Sequence, residues 1–253
     1  MQITRWIALL LSITLFCLPV ASQARVLRIE TIKSEPFGFE DGAGKGGMMY
    51  EIGNLIAETA GLQYENRVVP YARTVLSLRE GSADMVLRFN NEELAKVAIQ
   101  VAPVLPLPTM VIGRAGNDFR HLDQLRGRTV AMSRSFPGDR RVTANPAFRL
   151  YLTDNNEHSV RMLFAGRVDA VLGSDVGLYG AASKLKREPG DFGQPIMLEP
   201  QHFWLHLSRK TADPATVAAL KAAVEQLQRD GRIEQIFKRY LNDVAMPKSG
   251  RKP

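Results

Sequence analysis

The apolar positions of the chain fall into two alternating periods. Val26-Leu27-Arg28-Ile29-Glu30-Thr31-Ile32 alternates with a period of two and predicts a first strand. Met48, Ile52, Leu55, Ile56 and Ala60 recur at helical spacing and stop at Gly61, predicting a capped helix. Residues 63–69 read as a second strand and 71–80 as a second helix. Glu92 to Ala98, with Asn91 before it and acids in its first turn, predicts a short helix. Pro103, Pro106 and Pro108 then punctuate the chain before an extended run at Thr109–Gly113. Beyond them come a helical turn at Leu122–Leu125, a strand at Thr129–Ser133, a strand at Phe148–Leu152, and helices at Glu157–Ala165 and Val176–Leu185. Two extended runs, Pro195–Leu198 and Phe203–Leu207, precede two amphipathic helices, Pro214–Arg229 and Arg232–Leu241. Strand and helix alternate throughout, which predicts an α/β protein with mainly parallel sheet in two blocks.

One phrase occurs twice, 85 residues apart. Leu78-Arg79-Glu80-Gly81-Ser82-Ala83-Asp84-Met85-Val86-Leu87 is echoed by Leu163-Phe164-Ala165-Gly166-Arg167-Val168-Asp169-Ala170-Val171-Leu172. Each copy reads as a helix end, a glycine cap and a buried strand. Ligands of open α/β sheets lie beyond the carboxyl ends of strands. The two strand exits, Arg88-Phe89-Asn90-Asn91 and Gly173-Ser174-Asp175, are therefore the first candidates for a site.

The N-terminus departs from the ordinary composition of 45% hydrophobic and 23% charged residues. Arg5, the apolar stretch from Trp6 to Val20, and Ser22-Gln23-Ala24 are the three parts of a secretory signal peptide, with cleavage expected after Ala24. The single cysteine, Cys17, lies inside it, which excludes disulfides, thiol catalysis and cysteine metal sites from the mature chain. Removing Arg5 with the signal leaves a formal charge of about +6. Half of that comes from Lys248, Arg251 and Lys252 in the C-terminal tail.

His202 and His206 have the spacing of a helical metal pair, but the run around them alternates like a strand, where four residues span ~13 Å. No Gly-x-Ser-x-Gly elbow and no singled-out carboxylate pair supports hydrolysis. Gly44–Gly47 lacks the spacing of a phosphate loop. Neither a cofactor nor a metal is indicated, and nucleic acid is disfavoured. Phe37 and Phe39, in a turn after the first strand, read either as an aromatic wall over a ligand or as ordinary packing. Arg88 reads either as a clamp on an anion or as an ion pair, and Arg134, Arg140 and Arg141 as a basic cluster or a solvated face.

Pro36-Phe37-Gly38-Phe39-Glu40-Asp41, Leu125-Arg126-Gly127-Arg128-Thr129-Val130-Ala131, Gly166-Arg167-Val168-Asp169-Ala170-Val171 and the closing Leu227–Leu241 segment stand in an order that resembles the periplasmic solute-binding proteins of ABC importers, polar-amino-acid type (family 3). The resemblance implies a two-lobed type II fold, two α/β lobes joined by two crossing strands that close as a hinge. It divides the chain into a signal peptide (1–24), a first part of lobe 1 (25–112), lobe 2 (113–203) and a return to lobe 1 (204–253), with Thr109–Arg114 and Phe203–Ser208 as crossings. The family's carboxylate-gripping arginine falls on or beside Leu94, and its amino-group acid at Ser174 or Asp175. Val69-Pro70-Tyr71-Ala72-Arg73 is similar to a branch whose ligands are mostly unassigned. The expectation is a non-enzymatic, monomeric receptor for a small polar or anionic solute, held by Phe37, Phe39, Arg88, Asn90, Asn91, Ser133, Ser135 and Asp175. Its partner would be an inner-membrane ABC permease or a sensor. The alternative is a periplasmic lyase or dehydratase on the same fold.

Overall fold

The computed structural model describes residues 25–42 and 44–243. The expected signal peptide, Cys17 and the basic tail lie outside the described residues. Eight strands form a mixed sheet in the order β4-β1-β5-β10-β6-β9-β7-β8. In chain order they are β1 (Leu27–Ile32), β4 (Tyr64–Val69), β5 (Met85–Phe89), β6 (Ala98–Gly113), β7 (Thr129–Ser133), β8 (Arg149–Thr153), β9 (Ala170–Ser174) and β10 (Ile196–Ser208). A small antiparallel hairpin, β2 (Phe39–Asp41) and β3 (Gly44–Gly46), stands apart from the sheet where only a turn was expected. The helices are α1 (Met48–Thr59), α2 (Tyr71–Glu80), α3 (Glu92–Val97), α4 (Arg140–Thr143), α5 (Asn156–Phe164), α6 (Asp175–Lys184), α7 (Pro214–Arg229) and α8 (Arg232–Asp243).

β4, β1 and β5 are parallel in one half, as are β8, β7 and β9 in the other. The long antiparallel strands β6 and β10 belong to both halves, giving a two-lobed α/β architecture. β10 pairs with β5 over Phe203–Leu207, and β6 pairs with β9 over Thr109–Gly113. Each strand thus gains its second partner where the segment expected as a crossing begins. The expected break at the prolines is absent: β6 runs unbroken through Pro103, Pro106 and Pro108. All three precede the part of β6 that pairs with β9, so that portion has β10 on one side only. Proline, which donates nothing to a ladder, is tolerated where one edge is open and at bulges. The partner strand shifts register between Leu198 and Gln201, between Phe203 and Trp204, and between Leu205 and His206. Those shifts also carry β10 through Pro200, joining two extended runs that were expected to be separate.

The doubled phrase forms the same joint in both halves. Gly81 and Gly166 sit in the left-handed region, at φ 73° and 70°, and close α2 and α5. Asp84 then donates its backbone N–H to the Arg28 carbonyl at 2.8 Å, and its carboxylate accepts the Arg28 N–H at 2.9 Å. Asp169 does the same to Thr129, at 2.9 Å and 2.8 Å. Each aspartate therefore holds the first residues of the neighbouring parallel strand. Asp84 also binds the Arg28 guanidinium, with contacts of 2.8 and 2.9 Å, and pairs with Arg25. Burial pushes the Asp84 pKa up, but the Arg28 hydrogen bonds and the Arg25 charge outweigh it and hold the carboxyl below its ordinary value.

One apolar cluster joins the two halves, from Leu27, Ile29 and Ile52 through Phe203 and Phe136 to Val130 and Leu172. Several helix starts are capped by side chains: Asn91 accepts the Leu94 N–H at 2.8 Å, Asn155 that of His158 at 2.8 Å, and Asp213 that of Thr216 at 2.9 Å.

Asp84→Asn removes a charge that accepts three hydrogen bonds from Arg28, and it is expected to destabilise the fold by about 2–4 kcal/mol at neutral pH. Because the folded-state pKa is depressed, the advantage of the native carboxylate is complete above its unfolded value near 3.8 and is lost as pH falls through the folded value. Urea unfolding of both proteins at pH 7 and pH 3 measures this. An equal gap at both pH values contradicts the assignment.

Candidate functional site

Four phenylalanines meet where the halves face each other. Phe37 comes from the loop after β1, Phe89 ends β5, Phe203 lies on β10, and Phe136 follows β7. Ring centroids are 5.2 Å apart for Phe37–Phe203, 4.2 Å for Phe89–Phe203 and 5.2 Å for Phe89–Phe136, the last pair edge to face. Such distances are van der Waals contact, so a guest among the rings must part them. The surrounding cavity has a volume of about 430 Å³, its open mouth included. Ile32, Met49 and Leu87 complete its apolar wall, and Ser34, Ser135, Asn156 and Ser174 supply hydroxyl and amide groups. Among the described residues no charged side chain lines it.

The glycine-rich stretch ending at Gly47 positions Phe37. Gly47 has φ 117°, and a Cβ there would lie 2.6 Å from both the Gly38 Cα and the Phe37 carbonyl oxygen. This close approach lets Met48 and Met49 donate their N–H groups to the Pro36 and Phe37 carbonyls, at 2.9 and 2.8 Å. The start of α1 thereby clasps the loop that carries the ring.

The expected site residues divide into two groups. Phe37 and Ser135 line the cavity, and the buried Ser133 hydroxyl lies 2.8 Å from that of Ser135. The other five stand away from the lining. Phe39 packs its ring over Gly46 in the β2–β3 hairpin. Asn90 is exposed and donates to Gln100 at 3.0 Å, while Asn91 caps α3 and donates to the Tyr71 hydroxyl at 3.0 Å. Asp175 opens α6, buried, its carboxylate accepting the Val176 N–H at 2.6 Å. Its charge adds to burial in pushing the Tyr179 hydroxyl up to about 12.

Arg88 is 1% exposed and points to the opposite side of the sheet from Phe89. Its guanidinium donates to the Thr74 hydroxyl at 2.7 Å and to the Tyr71 hydroxyl, and its Cζ lies 4.1 Å from the Tyr71 ring centroid. It is a packed cation under α2, buried and held by these groups rather than by a surface ion pair. His206 shares that face and is also 1% exposed. Burial, reinforced by the Arg88 charge, depresses its pKa to about 4. Among the described residues no group of three or more His, Cys, Asp or Glu is placed to hold a metal ion. Arg134 pairs with Asp154 at 3.2 Å and Arg141 with Asp139 at 2.6 Å, so these members of the basic cluster are engaged in ion pairs.

The family model of the bacterial extracellular solute-binding proteins, family 3, matches residues 27–243. The chain belongs to this family. Among solved structures, the periplasmic VFT2 domain of Bordetella pertussis BvgS is 22% identical, with a TM-score of 0.71 over 85% of this chain and 93% of that one. An ancestral arginine-binding protein bound to arginine gives 19% identity and a TM-score of 0.71, over 86% of this chain and 99% of that one. A histidine kinase sensor domain with similarity to periplasmic binding proteins gives 21% and 0.71, over 88% and 98%. The search of curated proteins gave no match. As a family 3 protein the chain has the two-lobed fold and the character of a ligand-binding protein, and no helix among its described residues is long and apolar enough to cross a membrane.

Against the family pattern, Leu94 stands fully buried in an apolar cluster with Val75 and Leu78, so no cation occupies that position. Phe89 and Ser174 line the cavity; both lie in the strand exits singled out in the sequence, but the expected ligand set took their neighbours Arg88 and Asp175 instead. They stand two residues past the end of each copy of the doubled phrase, 85 residues apart. Period-two alternation from Leu87 and Leu172 was the signal that places them on one face and Arg88 on the other. Phe136, Phe203 and Asn156 had no such signal, because tertiary packing alone brings them in.

His206 gives a test of the Arg88 face. Its folded pKa near 4 lies below the ordinary 6.5, so stability is complete above pH 6.5 and falls as pH drops from 6.5 toward 4, by roughly 2–3 kcal/mol. His206→Gln is expected to remove most of that slope in denaturant titrations at pH 7.5 and 4.5. An unchanged slope contradicts this.

Proposed function

We propose that the chain is a periplasmic receptor that captures a small solute in the cleft between its lobes and delivers it to an ABC importer, without chemical turnover. The observation that carries this reading is the phenylalanine-walled cavity built from both halves. A ligand seated there touches Phe37, Phe89 and Phe203 on one side and Ser135, Phe136, Asn156 and Ser174 on the other. It therefore favours the closed arrangement to the extent of those shared contacts. Aromatic surface supplies most of the affinity, and the hydroxyl and amide groups orient the guest. Among the described residues no acid/base pair lines the cavity, which disfavours the lyase or dehydratase alternative. Asp175, the acid considered for such chemistry, accepts the Val176 N–H at the start of α6.

Phe39, Arg88, Asn90, Asn91 and Asp175 support the site from behind in this reading, while Phe37 and Ser135 contact the ligand directly. Secretion by a signal peptide ending at Ala24 fits a receptor that meets its solute outside the inner membrane. A second reading, delivery to a sensor, is favoured by the likeness to the BvgS and histidine kinase sensor domains.

A thermal-shift screen of amino acids, organic acids, amines and short peptides tests the receptor. A ligand at a hundred times its Kd stabilises by about 2.7 kcal/mol, which raises the Tm by roughly 5–10 °C. Phe136→Ala is expected to weaken that ligand at least tenfold. No shift across the panel with folded protein, or recovery of a chemically altered compound, contradicts the proposal.

A further inference from the structure

The uncharged cavity is not closed at its outer end. Ser34 and Asn156 line it and also line a second, open cavity of about 570 Å³ with its solvent-filled mouth included, whose other walls include Lys33, Glu35, Glu157 and Lys184. The two cavities share these residues at one junction. Asn156 is only 8% exposed, lines both cavities and shows no side-chain hydrogen bond among the described residues. A carboxamide turned into a cavity with no protein partner is available to bond a guest.

The charges of the outer cavity are unevenly matched. Glu157 pairs with Arg161 along α5, and Glu35 of the first half pairs with Lys184 of the second. Lys33 has no ion-pair partner among the described residues, so one cation is left over. The outer cavity also meets the first turn of α5, at Asn155, Asn156 and Glu157, where backbone N–H groups point outward. The lining is formally neutral, and an unpaired lysine, a carboxamide and a helix N-terminus are what favour one anionic group there.

We infer that the two cavities form a single two-part site for a small carboxylic acid with an apolar body. This rests on the receptor reading above and assigns its solute class. The apolar body parts the rings of Phe37, Phe89, Phe203 and Phe136, and the carboxylate sits at the Asn156 junction facing Lys33 and Lys184. Glu35 holds Lys184 in the empty protein and is displaced by the ligand's own carboxylate. The ion pair that bridges the two halves is thus exchanged for one that includes the solute.

Isothermal titration of phenylacetate, phenylacetamide and 2-phenylethylamine, and of any solute found in the broad screen against its own amide, tests the assignment. The acid is expected to bind at least tenfold tighter than the amide, and the amine weakest. Lys33→Gln with Lys184→Gln should reduce the acid's affinity tenfold or more and leave the amide's unchanged. Glu35→Gln, which frees Lys184, should strengthen acid binding several-fold, whereas a purely structural latch would give no gain. Equal binding of acid and amide, preference for the amine, or an acid preference that survives the double substitution overturns the inference. Binding of no solute of any charge to folded protein overturns the receptor reading itself, which keeps the two failures distinct.

Discussion

A carboxylate that accepts the first backbone N–H groups of its neighbouring strand sets the geometry of each half. Asp84 does this for β1 and Asp169 for β7, each just after a left-handed glycine that ends a helix. Helix, cap and strand are thereby locked to the adjacent parallel strand at its amino end. With the amino ends fixed, the carboxyl ends of β5 and β9 are delivered to equivalent places on the two sides of the cleft. Phe89 and Ser174 are the side chains that arrive there. The joint is remote from the cavity and yet determines which residues can line it.

The second constraint is the pleat. A strand buried on both faces sends consecutive side chains to opposite sides. β5 gives Leu87 and Phe89 to the large core and the cavity, and Val86 and Arg88 to the face beneath α2. The most chemically suggestive residue at that exit is therefore spent on packing. A buried guanidinium held by two hydroxyls and an aromatic ring, with a neutral histidine on the same face, is a costly arrangement that packing and hydrogen bonds must sustain. Its effect on the site is to hold Tyr71 and Asn91, and with them the start of α3, behind the cleft.

Most of the fold was legible from periodicity. The helix at Met48, the strand at Leu27, the two closing helices and both glycine joints follow from local pattern, because each is stabilised by its own capping and by a single apolar face. The prolines of β6 misled because their meaning depends on an open sheet edge, which is a tertiary fact. The hairpin at Phe39 was hidden for a related reason: the Phe39 ring packs on the hairpin's own Gly46. In the site, Phe37 and Ser135 were readable from their place after strands. Phe136, Phe203 and Asn156 were not, since only the meeting of the two halves makes them neighbours. Arg88 and Asp175 drew attention by their charge, and charge at a strand exit is informative only when the face is known.

The central claim is that the solute lies among phenylalanines contributed by both halves, with the Arg88 face serving as structure. A crystal structure of the protein purified with its native solute tests this most directly. The account predicts density for the solute between Phe37, Phe89, Phe203 and Phe136, reaching Asn156, with the Arg88 guanidinium still bonded to Tyr71 and Thr74. Density against Arg88 or Asp175, with the four rings still packed on one another, would contradict it.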